Sequence, residues 1–184
     1  VVGIYAAVVI KCRLAWQNLP EILESKSQEH TFFTVIVPVR NEEAHIWDLL
    51  QDLENQQYPG HRLEVLVVDD HSTDNTARLA QQFFSQRSLA GRLVFLASFP
   101  DKGPKKGPVE VGVQLAQGDW IVCTDGDCRV TPDWLQTFNQ IIQAKHPKFI
   151  SGPVQCSPLT SFWHQLQALE FSALIGVGAA SIGL

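Results

Sequence analysis

The sequence predicts an α/β fold: a mostly parallel, doubly wound sheet flanked by helices. Short, wholly apolar, β-branched runs recur along the chain and read as strands covered on both faces. Segments with apolar residues at helical spacing lie between them. The runs stop at acids, Gly, Pro or Asx residues, the punctuation that separates βαβ units.

The elements follow in order. FFTVIVPV, from Phe32, is the first strand. RNEEAHIWDLLQDLENQ follows as a helix with Asn41 as its N-cap and Glu42 and Glu43 at its positive end. Its Ile46, Leu49, Leu50 and Leu53 share one face, and Tyr58-Pro59-Gly60 closes the unit. LEVLVVDD is the second strand, and Ser72 or Thr73 caps a helix that carries Ala77, Ala80 and Phe83 or Phe84 on one face. RLVFLAS is the third strand, FPDKGPKKGP a loop, and VEVGVQLAQ a short helix ended by Gly118. DWIVCTDGD is a fourth strand ending in acids, and TPDWLQTFNQIIQAK a helix with Thr131 as N-cap and Pro132 at its first helical position. KFISGPVQ reads as a fifth strand.

The 184 residues suit one domain or one domain with appendages, and a hydrophobic content of 45% supports a sizeable core. A net charge of −5 with no basic run beyond Lys105-Lys106 argues against nucleic acid as the partner. Cys12, Cys123, Cys128 and Cys156 show no CxxC spacing, so neither a zinc site nor a redox motif is indicated. VVGIYAAVVI is apolar but shorter than the roughly 20 residues that span a bilayer. FSALIGVGAASIGL also stops within an apolar run, so the chain is expected to be a piece of a longer, membrane-associated protein.

In open α/β sheets, ligands bind beyond the carboxyl ends of the strands. Asp69-Asp70 ends one strand and Asp125-Gly126-Asp127 another, so the two acid sets are expected to converge. Paired carboxylates around a glycine can face one divalent cation, and Mg²⁺ and Mn²⁺ favour such oxygen donors. Taken singly, each feature has a plain structural reading. Asp-x-Asp occurs in ordinary turns, Asp before Ser-Thr-Asp starts helices, Asn-Glu-Glu caps them, and loop lysines are solvated.

Order and spacing make the blocks specific. VIVPVRNEE, LVVDDHSTD, DKGPKKGP, GDWIVCTDGDC and TPDWL together resemble the family 2 glycosyltransferases of the GT-A fold, from about Phe32 to the end. The nearest likeness is to membrane-bound cellulose-synthase, hyaluronan-synthase and ceramide-glucosyltransferase types. The resemblance implies a Rossmann-like GT-A sheet that is incomplete at the C-terminus. It divides the chain into 1–31, an apolar remnant and juxtamembrane linker, and 32–184, the nucleotide-sugar-binding part.

The resemblance also implies roles. Pro38, Val39, Arg40, Asn41 and Glu42 would line the nucleotide pocket, with Glu42 toward the base or ribose. Asp70, or its neighbour Asp69, would accept from the uracil imide. Lys105 or Lys106 would lie near the donor phosphates and sugar. Asp127 would bind Mg²⁺ or Mn²⁺ directly, Asp125 the ribose or a metal-bound water, with the small Gly126 between them. Pro104, Pro108 and Glu110 depart from the family's pattern in the lysine loop. The general base and an acceptor motif of the Gln-x-x-Arg-Trp kind are expected after Leu184. The intact protein would pass a sugar from a nucleotide donor, UDP-linked, to a lipid or polysaccharide hydroxyl with inversion, from the cytoplasmic side of a membrane.

Three other readings share part of this pattern. A phosphoacceptor receiver needs its acid pair on the first strand and an Asp ending the third, whereas VVDD ends the second and Ala97-Ser98 ends the third. A nucleotidyltransferase needs a Gly-rich segment after the first strand, which is not present here. A non-catalytic scaffold subunit of a membrane polysaccharide assembly shares every motif quoted above and is the principal alternative.

Overall fold

The computed structural model describes residues 10–11, 14, 30–99, 101–102, 106–152, 154–156 and 161–182. The chain divides into two compact units, Glu24–His146 and a second made of Val1–Leu23 with Pro147–Leu184. Lys105 and most of the 1–31 segment fall outside the described residues.

The larger unit carries a four-stranded sheet. Its elements are β1 (Phe33–Val39), α1 (Ile46–Glu54), β2 (Leu63–Asp69), α2 (Thr76–Gln86), β3 (Gly91–Phe95), α3 (Gly107–Leu115), β4 (Trp120–Cys123) and α4 (Trp134–Lys145). All strand pairings are parallel, in the order β3-β2-β1-β4. The chain runs outward through β2 and β3 and then back across to β4, which makes the β1–β4 boundary the switch point of the sheet. A receiver-like order of 2-1-3-4-5 is not what this sheet has, so that rival falls.

β1 and β2 are central and read as predicted. Every β2 residue is buried, as is every β1 residue but Pro38. Ile46, Leu49, Leu50 and Leu53 form the buried face of α1, at the predicted spacing. Thr76, Ala80 and Phe83 do the same for α2, while Ala77 and Phe84 are half-buried. α3 approaches the sheet closely because Gly112 has no side chain: a Cβ there would come within 2.6 Å of Ile36 Cγ2.

Several boundaries differ from the sequence reading. α1 begins at Ile46, and Asn41 does not cap it; Asn41 sits in the left-handed region at φ 60° and turns its side chain toward the next unit. α2 begins at Thr76, beyond Ser72 and Thr73, and α4 at Trp134, beyond Thr131 and Pro132. Gly118 does not end α3, which stops at Leu115. Its place is set instead by β1, since a Cβ on it would lie 2.5 Å from Thr34 N.

β4 is not a fully buried strand; its residues alternate between half-buried and exposed. The expected fifth strand is absent among the described residues, where 148–152 and 154–156 carry no strand. Prolines at 147 and 153 withhold ladder donors, and Phe149 is exposed, so burial does not favour pairing.

In the second unit α5 (Phe162–Ile182) is a 21-residue helix. Among the described residues no helix is long and apolar enough to cross a membrane.

Candidate active site

The site is built at the carboxyl ends of β1, β2 and β4. Register decides what meets there. Val39 ends β1 level with Asp69 at the end of β2. Ile36 is level with Cys123, and Thr124 N–H donates to Ile36 O at 3.2 Å. Carried forward by three residues, that register sets Gly126 beside Val39. A Cβ on Gly126 would lie 2.9 Å from Val39 Cγ1 and 3.0 Å from Glu42 Cγ. The Asp-Gly-Asp turn therefore packs on the Pro38–Glu42 block, and only a residue this small fits without displacement.

The loops after β1 and β2 are tied together by reciprocal hydrogen bonds. Asp70 N–H donates to Val39 O at 2.8 Å. Asn41 N–H donates to Ser72 Oγ at 3.0 Å, and Thr73 N–H to Asn41 Oδ1 at 2.8 Å. Glu42 N–H donates to Thr76 Oγ1 at 2.7 Å, Glu43 N–H to Asp74 Oδ2 at 3.2 Å, and Asn75 N–H to Glu43 Oε2 at 2.9 Å. Asn41 and His71 both take left-handed φ values, which lets each loop turn back on its neighbour. Burial works against the charge of Asp74, but hydrogen bonds from Thr76 and from the Glu43 backbone outweigh it and hold its carboxyl below the ordinary value.

The two β2 acids differ. Asp69 is 4% exposed; its Oδ2 accepts Ser72 N–H at 3.2 Å, while its Oδ1 is buried with no partner among the described residues. Asp70 is more open, and its Oδ1 lies 2.9 Å from His71 Nδ1. A buried carboxylate oxygen without a donor is costly unless something supplies one. Glu42 is half-buried, with Oε2 3.1 Å from His45 Nδ1, and Arg40 is exposed.

At the end of β4, one donor atom each from Asp125, Asp127 and Cys128 lies within 4.8 Å of the others. Both carboxylates are exposed. Cys128 N–H closes the turn on Asp125 O at 3.2 Å. Two oxygens in a turn suit a hard divalent cation with open positions, whereas the soft thiol suits it poorly. The residues present therefore fit Mg²⁺ or Mn²⁺. Partial desolvation, with the nearby Asp125 charge, pushes the Cys123 thiol up.

The lysine loop is only partly described. Lys106 precedes α3 and is exposed; Lys102, which the sequence reading did not single out, is paired with Glu110 in the first turn of α3. Among the described residues no hydrogen bond or ion pair joins Lys106 to the acids of β2 or β4.

Sequence reasoning also missed Asp52 and Arg129. Arg129 Nε lies 2.6 Å from Asp52 Oδ2 and Nη2 2.8 Å from Asp52 Oδ1, with Asp48 Oδ2 3.4 Å from Nη1. Hydrogen bonding from Asp52 leads, and the charges of Asp52 and Asp48 add, in raising the Arg129 guanidinium above its ordinary value against some desolvation. Two acids one turn apart on the polar face of a helix were the available signal.

The chain matches glycosyl transferase family 2 over residues 34–174. It is 31% identical over 182 residues to a beta-monoglucosyldiacylglycerol synthase of Trichormus variabilis, covering 94% of this chain and 36% of that protein. It is 32% identical over 114 residues to the poly(ribitol-phosphate) beta-N-acetylglucosaminyltransferase TarS of Staphylococcus aureus, covering 62% of this chain and 19% of that one. Among solved structures, the mannosyltransferase PcManGT of Pyrobaculum calidifontis, in complex with GDP-Man and Mn²⁺, superposes with a TM-score of 0.65 at 27% identity, covering 77% of this chain and 41% of that one. TarS 1-349 in complex with UDP gives a TM-score of 0.54 at 27% identity, covering 67% and 38%. The chain thus spans well under half the length of these relatives. With a parallel sheet flanked by helices, acids at its switch point and a match across most of its length, this chain belongs to glycosyl transferase family 2 and has the GT-A fold.

Proposed function

We propose that the domain binds a nucleotide-sugar, with UDP as the carrier, together with Mg²⁺ or Mn²⁺, and that the protein it serves transfers the sugar to an acceptor hydroxyl with inversion. The observation that carries this reading is the contact of the Asp125–Asp127 turn with Val39 and Glu42 at the β1–β4 crevice, beside the acids that end β2. Solved relatives holding UDP, or GDP-Man with Mn²⁺, support it.

Asp70 is assigned the nucleobase imide, with Asp69 the alternative; Asp69 Oδ1 is a buried acceptor with no donor among the described residues. Pro38, Val39, Arg40, Asn41 and Glu42 are assigned to the adjoining wall, and Lys106, or Lys105 outside the described residues, to the donor phosphates. Asp125 and Asp127 would hold the cation, whose chemistry is Lewis-acid stabilisation of the leaving diphosphate. In the transfer a base takes the proton of the acceptor hydroxyl, and its oxygen attacks the anomeric carbon from the face opposite the diphosphate. The new C–O bond forms as the old one breaks, and the nucleoside diphosphate leaves with the bonding pair. The base is assigned to a residue after Leu184.

The acceptor is a lipid or a polymer hydroxyl. Likeness over 182 residues to a beta-monoglucosyldiacylglycerol synthase supports a lipid. A lipid acceptor in turn supports placing the domain at a membrane, and its cytoplasmic face is the side proposed. Calorimetry tests the donor site: UDP should bind in Mn²⁺, and either EDTA or Asp127→Ala should weaken it about 10-fold or more. UDP binding indifferent to both would overturn the metal assignment. No nucleotide binding at all would favour the scaffold.

A further inference from the structure

The acids of the β4 loop are exposed and follow an edge strand of four residues, and the sheet supports their turn only through Gly126 on Val39 and the Thr124 N–H bond to Ile36 O. What holds the loop lies behind it. Arg129, two residues past Asp127, grips both oxygens of Asp52, and Val130 N–H donates to Asp52 Oδ2 at 3.3 Å. One turn further along α1, just past its end, Gln56 Nε2 donates to Thr131 O at 2.8 Å and its Oε1 accepts Leu135 N–H at 3.1 Å. Gln57 N–H donates to Pro132 O at 2.7 Å. Asp48, Asp52 and Gln56 recur every fourth residue, so one edge of α1 is a rail for residues 129–135.

The rail is rigid, because the opposite face of α1 is fully buried through Ile46, Leu49, Leu50 and Leu53. A bidentate guanidinium–carboxylate pair fixes direction as well as distance, which a single contact does not. For chain stability alone such an exposed pair contributes little. Its directional effect falls on the turn ending at Cys128.

We propose that Arg129, gripped by Asp52, is a positioning residue that sets Asp125 and Asp127 for a divalent cation. This rests on the reading of that pair as the cation site. Arg129 does not touch the cation; it limits how far the two carboxylates diverge, so the site need not be ordered anew on binding. Removing it should weaken the cation and leave the nucleotide wall untouched.

The experiment follows Mn²⁺ by electron paramagnetic resonance with the full chain and UDP, beside UDP calorimetry in EDTA. Arg129→Gln should raise the half-saturating Mn²⁺ concentration about 10-fold while UDP affinity in EDTA stays within about twofold of wild type. Asp52→Asn should match it, the double variant should be no worse than either alone, and Arg129→Lys should fall between. Asp48→Ala leaves the bidentate grip and should bind Mn²⁺ as wild type does. Unchanged Mn²⁺ binding in Arg129→Gln overturns the proposal, as does an equal loss in Asp48→Ala, which would mark a general disturbance of this edge of α1 and not the bidentate grip. An equal loss of UDP affinity in EDTA overturns it too, since that would be a collapse of the whole pocket. If wild type takes up no Mn²⁺, the cation site and this inference fall together, whereas wild-type uptake with unchanged Arg129→Gln sinks the inference alone.

Discussion

The two halves of the site are held in different ways. Behind Asp69 and Asp70, β1 and β2 pair along seven residues, with all but Pro38 buried. Behind Asp125 and Asp127, β4 pairs along four, two of them exposed. The nucleotide half is thus positioned by backbone ladder and core, and the metal half by the seat of Gly126 on Val39 and by side chains reaching from α1. A group placed by a strand moves only if the sheet moves, whereas a group placed by an outlying ion pair can be loosened by itself.

Paired truncations would break this comparison most forcefully. Ile36→Ala in β1 should cost about 2–5 kcal/mol, since it opens a cavity against α3. Ile121→Ala in β4 should change stability by about 0.5 kcal/mol or less, because that side chain is already exposed. Chemical denaturation of both reads the contrast directly. Equal losses would mean that β4 is as much a part of the core as β1.

The seam between the halves is the next place to press. Gly126→Ala drives a methyl into Val39 and Glu42 and should cost about 1–3 kcal/mol as overpacking. UDP affinity should fall with it, measured calorimetrically in EDTA and in Mn²⁺. A variant with unaltered stability and affinity would show that the turn can lift away from β1, and the two halves would then be independent.

The smallest effect belongs to pH. Asp74 ties the loop after β2 to Glu43, and its carboxyl is held below the ordinary value of 3.8. A depressed folded value stabilises the charged form, so the contribution is fully present above 3.8 and disappears as pH falls through the lower folded value. Asp74→Asn should therefore lower the melting temperature near neutrality, with the gap from wild type closing in acid. A gap that persists at low pH would assign the loss to shape, not charge.

How much was readable in the sequence follows the same division. β1, β2 and the buried face of α1 were evident because a wholly apolar run, or apolar residues at helical spacing, admits few other arrangements. Asp69-Asp70 and Asp125-Asp127 were found because they stand where such runs stop. The starts of α1 and α2 were misplaced by several residues because the polar side chains expected to cap them bond each other's loops instead. Asn41 suits an N-cap, yet it bonds Thr73 across the strand ends. The segment 148–155 has a strand's composition, but a strand exists only where an edge and burial meet it.

By itself, then, the sequence determined the alternation of strands and helices, the family, and which acids end which strand. These are local properties, set by side-chain periodicity and by residues that interrupt the backbone. Tertiary structure alone decided that Gly126 lies on Val39 and Glu42, that Asp69 keeps a buried oxygen with no donor among the described residues, and that Arg129 meets Asp52 across 77 residues. Each depends on register and crossover, which join residues far apart in the chain, and no local pattern encodes which distant partner a polar group will find.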